Sequence, residues 1–80
     1  MSLSKYQNIF VTTFEMGDVS EEQLSTLNYQ DITAWDSIGH MGLITALEDA
    51  FSIMLETDDI IDFSSFEKGK EILRKYNVEL

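Results

Sequence analysis

The sequence predicts an all-α fold, a small antiparallel bundle of three main helices plus one short helix. Three observations carry the prediction. Apolar residues recur at three- and four-residue steps in three long segments. A Ser or Asp stands at the head of each, where a helix needs a cap. No stretch alternates apolar and polar residues convincingly with period two, and Pro is absent from all 80 residues.

In "SKYQNIFVTTFEM", Tyr6, Ile9, Phe10, Thr13 and Phe14 fall at helical spacing, with Ser4 and Gln7 as the expected capping box. "IFVTTF" is the one place where a strand competes, and the helical spacing running through it decides for a helix. Gly17 and Asp18 end the pattern. "SEEQL" repeats the S-x-x-Q form before Leu24 and Leu27, which predicts a short helical turn. Residues 28–35, "NYQDITAW", read as a loop whose Ile32 and Trp35 cover the core. The second long helix is expected to start from Asp36, whose carboxylate caps the first free N–H groups and complements the positive helix end. Along it Met41, Ile44, Leu47 and Phe51 form an apolar face widened by Leu43, Ala46 and Ala50. "ETDDIID" suits one or two turns burying Ile60 and Ile61. A last helix is expected from the capping pair Ser64 and Glu67. It buries Phe66, Ile72, Leu73 and Tyr76 and carries its basic residues toward the negative C-terminal end.

Eighty residues fit one domain over 1–80, near the lower limit for a chain that folds on its own core. With no Cys there is neither a disulfide nor a thiolate metal site, a composition suited to a reducing cytosol. "MSLSKYQNIF" lacks the apolar run of a signal peptide, and no segment approaches the ~20 apolar residues of a membrane span. The expected location is the cytoplasm, as a monomer.

Charge is the most informative bulk property. The formal net charge is −10, and thirteen of the fifteen acids lie between Lys5 and Lys68 with no base among them. The other four bases, Lys68, Lys70, Arg74 and Lys75, crowd the C-terminal helix. Such a field repels nucleic acid and anionic membranes and steers basic protein surfaces toward the chain.

Several chemistries fail on their own requirements. Asp36, Ser37 and His40 suggest a hydrolase, since residues three apart on a helix touch. Yet a nucleophile elbow needs G-x-S-x-G after a strand, and an oxyanion hole needs more scaffold than this chain has. His40 reads as a solvated helix residue. A calcium loop counted from Asp58 puts Phe63 where Gly is required and Gly69 where a bidentate Glu is required. One His and no Cys supply transition metals poorly, and Gly39 and Gly42 fit no nucleotide loop. Ser37 remains: an exposed hydroxyl at a helix entrance, where free N–H groups favour a phosphate or phosphodiester. By spacing alone, a polar first-turn residue chosen for helix initiation is the better reading.

"DSIGHMGLITALEDAF" closely resembles the D-S-L signature and second helix of acyl carrier proteins. The resemblance covers essentially the whole chain: a first helix, a long acidic loop, D-S at a helix start, A-L-E-x-x-F near its end, a short acidic helix and a final helix. It implies that Ser37 receives 4′-phosphopantetheine from coenzyme A through a phosphopantetheinyl transferase. Acyl or aminoacyl groups would then ride on the arm as thioesters, with Asp36 capping the helix beside the attachment point. It further implies a non-catalytic carrier visited by loading and acyl-transferring enzymes with basic surfaces. On that reading Ile38 and Met41 are apolar partner contacts, and Glu48 and Asp49 are acidic ones. Asp58, Asp59 and Ile60 extend the surface, and a fatty cargo would lie against Ile44, Leu47 and Ile61. Three positions depart from the housekeeping pattern: Gly42 replaces an acid, Trp35 a small residue, and Glu56 a frequent Pro. "WDSIGHM" looks more like carriers of specialised pathways. The alternative from another class is an unmodified acidic helical adaptor docking on basic surfaces.

The charge distribution generates a prediction of its own. Self-repulsion across residues 5–67 makes the fold sensitive to ionic strength. Tm is expected to rise between low and moderate salt, and on adding a divalent cation; a midpoint that stays put would contradict it.

Overall fold

A computed structural model describes residues 2–80, which form five α-helices: α1 (Ser2–Thr13), α2 (Glu21–Ser25), α3 (Ser37–Phe51), α4 (Thr57–Asp62) and α5 (Phe66–Lys75). Among the described residues there is no β-strand; the one β-bridge pairs Asn28 with Ser65. The fold is therefore small and all-α, and the "SEEQL" turn adds a fifth helix to the expected four.

Each helix start has a local cause, and two differ from expectation. Helix α1 begins at Ser2, so Ser4 and Gln7 lie inside it and form no box at its head. Helix α2 has the full capping box: Ser20 Oγ accepts from Gln23 N–H at 3.1 Å, and Gln23 Oε1 accepts from Ser20 N–H at 2.9 Å. In α5 the cap is Ser65 rather than Ser64, accepting from Lys68 N–H at 2.9 Å. Ser64 instead gives its carbonyl to Tyr29 N–H at 2.8 Å, while Phe66 N–H donates to the Leu27 carbonyl at 3.0 Å. These two bonds tie the long loop to the start of α5. Helix α3 ends at Ser52, which takes the left-handed conformation (φ 54°) while Ile53 N–H donates to the Glu48 carbonyl.

The core is aromatic. Phe10 of α1 lies with ring centroids 4.5–7 Å from five other rings: Tyr6 at 5.1 Å, Phe66 at 5.0 Å, Trp35 at 5.4 Å, Phe14 at 5.9 Å and Phe63 at 6.3 Å. Leu43, Ile44 and Leu47 close this core from α3, and Phe66, Ile72 and Leu73 from α5. The apolar face of α3 is narrower than expected. Met41 is exposed and Phe51 half-buried, with the Lys5 ammonium 5.2 Å from the Phe51 ring centroid. Tyr76 is half-buried, and Ile61, expected inside, is 72% exposed. A six-residue helix has one inward side, and α4 spends it on Asp59.

Asp59, expected as a surface contact for partners, is buried. It accepts from Lys75 Nζ at 2.6 Å and from the Tyr76 hydroxyl at 2.5 Å, bonding α4 to the end of α5. These two hydrogen bonds, the Lys75 one first, hold the Asp59 carboxyl below its usual range. Tyr6, sealed in the core, donates to the Phe66 carbonyl at 2.7 Å. Burial first, then the negative charge of Glu67, raises its phenol far above the ordinary value.

Gly69 is where α5 comes closest to the aromatic core. A Cβ there would collide with the Phe63 ring and the Tyr6 hydroxyl. Ala for Gly ordinarily gains about 1 kcal/mol inside a helix. Here Gly69→Ala is expected to destabilise by about 1–3 kcal/mol through overpacking, read as a lower Tm; an unchanged or raised Tm would refute the contact. The Asp59 bonds set a pH dependence. With its folded pKa lowered, Asp59 contributes fully above the unfolded carboxyl's pKa of about 4, and the contribution is lost as pH falls through the folded value. Thermal melts of the protein and of Asp59→Asn should therefore differ most at neutral pH and converge in acid. A gap independent of pH would remove Asp59 from the acid limb.

Candidate functional site

The site is built where the long loop turns into α3. The loop is closed by its own bonds: Asn28 N–H donates to Asp31 Oδ2 at 2.8 Å, Gln30 N–H to the Trp35 carbonyl at 3.0 Å, and Trp35 N–H to the Ile32 carbonyl at 3.1 Å. Asp36 then caps α3, its Oδ1 accepting from Gly39 N–H at 2.8 Å while its carbonyl accepts from His40 N–H at 2.8 Å. A side chain at Gly39 would run into the Ala34 carbonyl, so the loop can approach the first turn this closely only past a glycine. Ser37 is the first residue of α3, and its side chain is exposed. The N–H groups of Ser37 and Ile38 have no acceptor within the helix.

The Ser37–His40 contact that helical spacing allows is not among the hydrogen bonds of His40, and His40, expected as a solvated helix residue, is half-buried. Its half-buried imidazole bridges two elements. The indole N–H of Trp35 donates to Nδ1 at 2.9 Å, and Nε2 lies 2.8 Å from the Ile60 carbonyl at the far end of α4. An indole N–H only donates and a carbonyl only accepts, so the ring carries its proton on Nε2. Around it stand Tyr29 (5.4 Å), Phe63 (6.0 Å) and Trp35 (6.2 Å, nearly parallel). Sequence reasoning missed this residue because neither partner is its helical neighbour. The signal within reach was a Trp five residues upstream of the chain's lone His.

Beside Ser37 opens a groove of about 360 Å³, walled by Met41 of α3 and by Ile60 and Ile61 of α4, with Tyr29, His40, Phe63 and Ser64 completing it. Its walls are mostly apolar. Met41 and Ile61 on its walls are 51% and 72% exposed, and Ile38, next after Ser37 in the chain, is 83% exposed. Ile44 and Leu47 are fully buried and do not reach the groove, so of the three residues expected against a cargo only Ile61 lies there.

The expected acidic contacts divide. Asp49 and Asp58 are exposed. Glu48 is half-buried and turned inward, its Oε2 accepting from Leu55 N–H at 2.9 Å where the chain leaves α3. With Asp59 also turned inward, the outward acidic surface is carried by fewer residues than expected. Glu56 precedes α4 without capping it by its side chain; its N–H donates to the Tyr76 hydroxyl at 3.0 Å. Among the described residues no three His, Asp or Glu side chains converge as metal ligands, and no helix is long and apolar enough to cross a membrane. No family model, curated protein or solved structure matches the chain.

Proposed function

We propose that this chain is a carrier protein of the acyl carrier type, with Ser37 as the attachment point of 4′-phosphopantetheine. The five helices are then read as that family's antiparallel bundle, with α1, α3 and α5 as the main helices and α4 as the short one. The observation that carries the proposal is the exposed Ser37 hydroxyl, placed on the first turn of a capped helix and opening directly onto an apolar groove.

The residues present fit such a group. A phosphodiester on Ser37 Oγ would meet the two N–H groups of the first turn that lack helical acceptors, and the positive end of a fifteen-residue helix. Asp36 has its Oδ1 committed to Gly39 N–H, which fixes the turn that presents Ser37. The arm, when bound, supplies a thiol that holds acyl or aminoacyl groups as thioesters. The protein's own contribution is presentation: an exposed anchor, a short apolar groove beside it, and docking residues around it. Ile38 and Met41 provide exposed apolar contact, and Asp49 and Asp58 negative charge for basic partner surfaces. Weak charge contacts of this kind suit a partner that must bind and leave quickly. Trp35 and Gly42, where housekeeping carriers have a small and an acidic residue, favour a carrier of a specialised pathway.

The exposed Ile38, Met41 and Ile61 would equally serve an unmodified adaptor, and one experiment separates the two readings. Incubation with coenzyme A and a promiscuous phosphopantetheinyl transferase is expected to add the mass of one phosphopantetheine. Ser37→Ala should abolish the gain while changing stability by no more than about 0.5 kcal/mol, as for an exposed substitution. No gain on a folded, unmodified sample would refute the carrier. In that case charge reversal at Asp49 and Asp58 should abolish binding to a basic partner, with Ser37→Ala silent.

A further inference from the structure

The groove beside Ser37 ends at a polar barrier. Its inner wall is the imidazole of His40 together with Phe63, whose ring stacks on Phe10 at the centre of the core. Beyond it, one helical turn further along α3, lies Ile44, with Leu47 below; both are sealed and neither touches the groove. An apolar wall would yield to an entering hydrocarbon by changing rotamers. This one is pinned at both ring nitrogens, to the indole N–H of a fully buried Trp35 and to the Ile60 carbonyl. Swinging the ring aside breaks both bonds and strands a buried donor, a loss that apolar contact with a few methylenes does not repay. The groove's volume, about 360 Å³, lies near the lower end of the roughly 300–1,000 Å³ of small-molecule pockets.

We propose that His40 is the specificity-determining residue of this site: bolted between Trp35 and Ile60, it closes the way from the groove into the helix interior. Ser37 thus presents short acyl groups lying against Met41, Ile60 and Ile61, and long chains find no place inside. The inference rests on the carrier reading for its cargo, but the groove and its closure are tested without it.

The chain has no Cys, so Ser37→Cys creates a unique thiol at an exposed position. Alkyl methanethiosulfonates from ethyl through butyl, hexyl and octyl to dodecyl then place chains of graded length at the mouth of the groove, and the Tm of each adduct reads how much chain is buried. With His40 in place, Tm is expected to climb from ethyl to hexyl and to level off or fall for octyl and dodecyl. Adding H40A should let the climb continue to dodecyl. H40Q should restore the hexyl limit, because its amide offers an acceptor to the indole N–H and a donor to the carbonyl. That rescue is what a merely space-filling role would not produce. Should H40A fail to fold, W35F removes the upper anchor and is expected to relax the limit in the same way. A climb that continues to dodecyl with His40 present overturns the proposal, as does a hexyl limit shared by H40A or W35F. Because these adducts need no transferase, failure of the length limit and failure of phosphopantetheine attachment are separate results.

Discussion

The structure depends on giving the Trp35 indole a partner. A large ring with a single N–H donor is worth burying only if that donor is satisfied, since an orphaned one costs about 1–3 kcal/mol. No backbone carbonyl of the core takes it; the acceptor is His40, on the first turns of α3. Accepting on Nδ1 leaves the ring's proton on Nε2, and the Ile60 carbonyl receives it. One buried side chain thus fixes the tautomer of a second and the position of a third element. The loop that delivers Ser37, the helix that carries it and the short helix across the groove are linked to one another through a chain of two hydrogen bonds.

Around that chain the centre of the core is a cluster of rings closed by aliphatic side chains. A domain of this size has little core to spend and no covalent staple, and aromatic side chains bury the most area per residue. Phe10 gathers five of them, drawn from α1, the turn after it, the loop before α3, the turn after α4, and α5. The five bases offset only a third of the fifteen acids, leaving ten net negative charges, and most of the bases are engaged. Lys75 pairs with the buried Asp59, Lys70 with Glu67, and Lys5 sits over Phe51. Among the unpaired acids, Glu15, Asp18, Glu21, Glu22, Asp49 and Asp58 are exposed.

The parts legible in the sequence are those governed by neighbours along the chain. Asp36 at the head of α3, the Ser20–Gln23 box and the apolar steps of α3 and α5 were all readable, because capping and amphipathicity act over three or four residues. The misread caps show the limit of that range. S-x-x-Q at Ser4 recurs harmlessly inside a helix, and with Ser64 and Ser65 adjacent, only the backbone decides which hydroxyl turns back. Asp59, Glu48, Ile61 and His40 were misplaced for one further reason. Three of these directions are set by groups beyond helical reach: the end of α5 for Asp59, Leu55 for Glu48, and Trp35 and Ile60 for His40. Ile61 faces out because Asp59 takes the inward side of α4. No periodicity within α3 or α4 reveals them.

Helix α4 brings these threads together. At six residues, without a side-chain cap, it is far too short to persist on its own propensity. Its N-terminal side is held to α5, through Glu56 N–H on the Tyr76 hydroxyl and Asp59 on Lys75 and Tyr76. Its C-terminal side is held to α3, through Ile60 on His40. The element that walls the groove beside Ser37 is therefore positioned from both ends by polar bonds, with Ile61 left outside as the groove's outer wall. Polar anchoring fixes distance and direction more sharply than apolar contact, which tolerates sliding. A wall so anchored gives the groove a definite length, because neither end of α4 can slide without breaking a hydrogen bond.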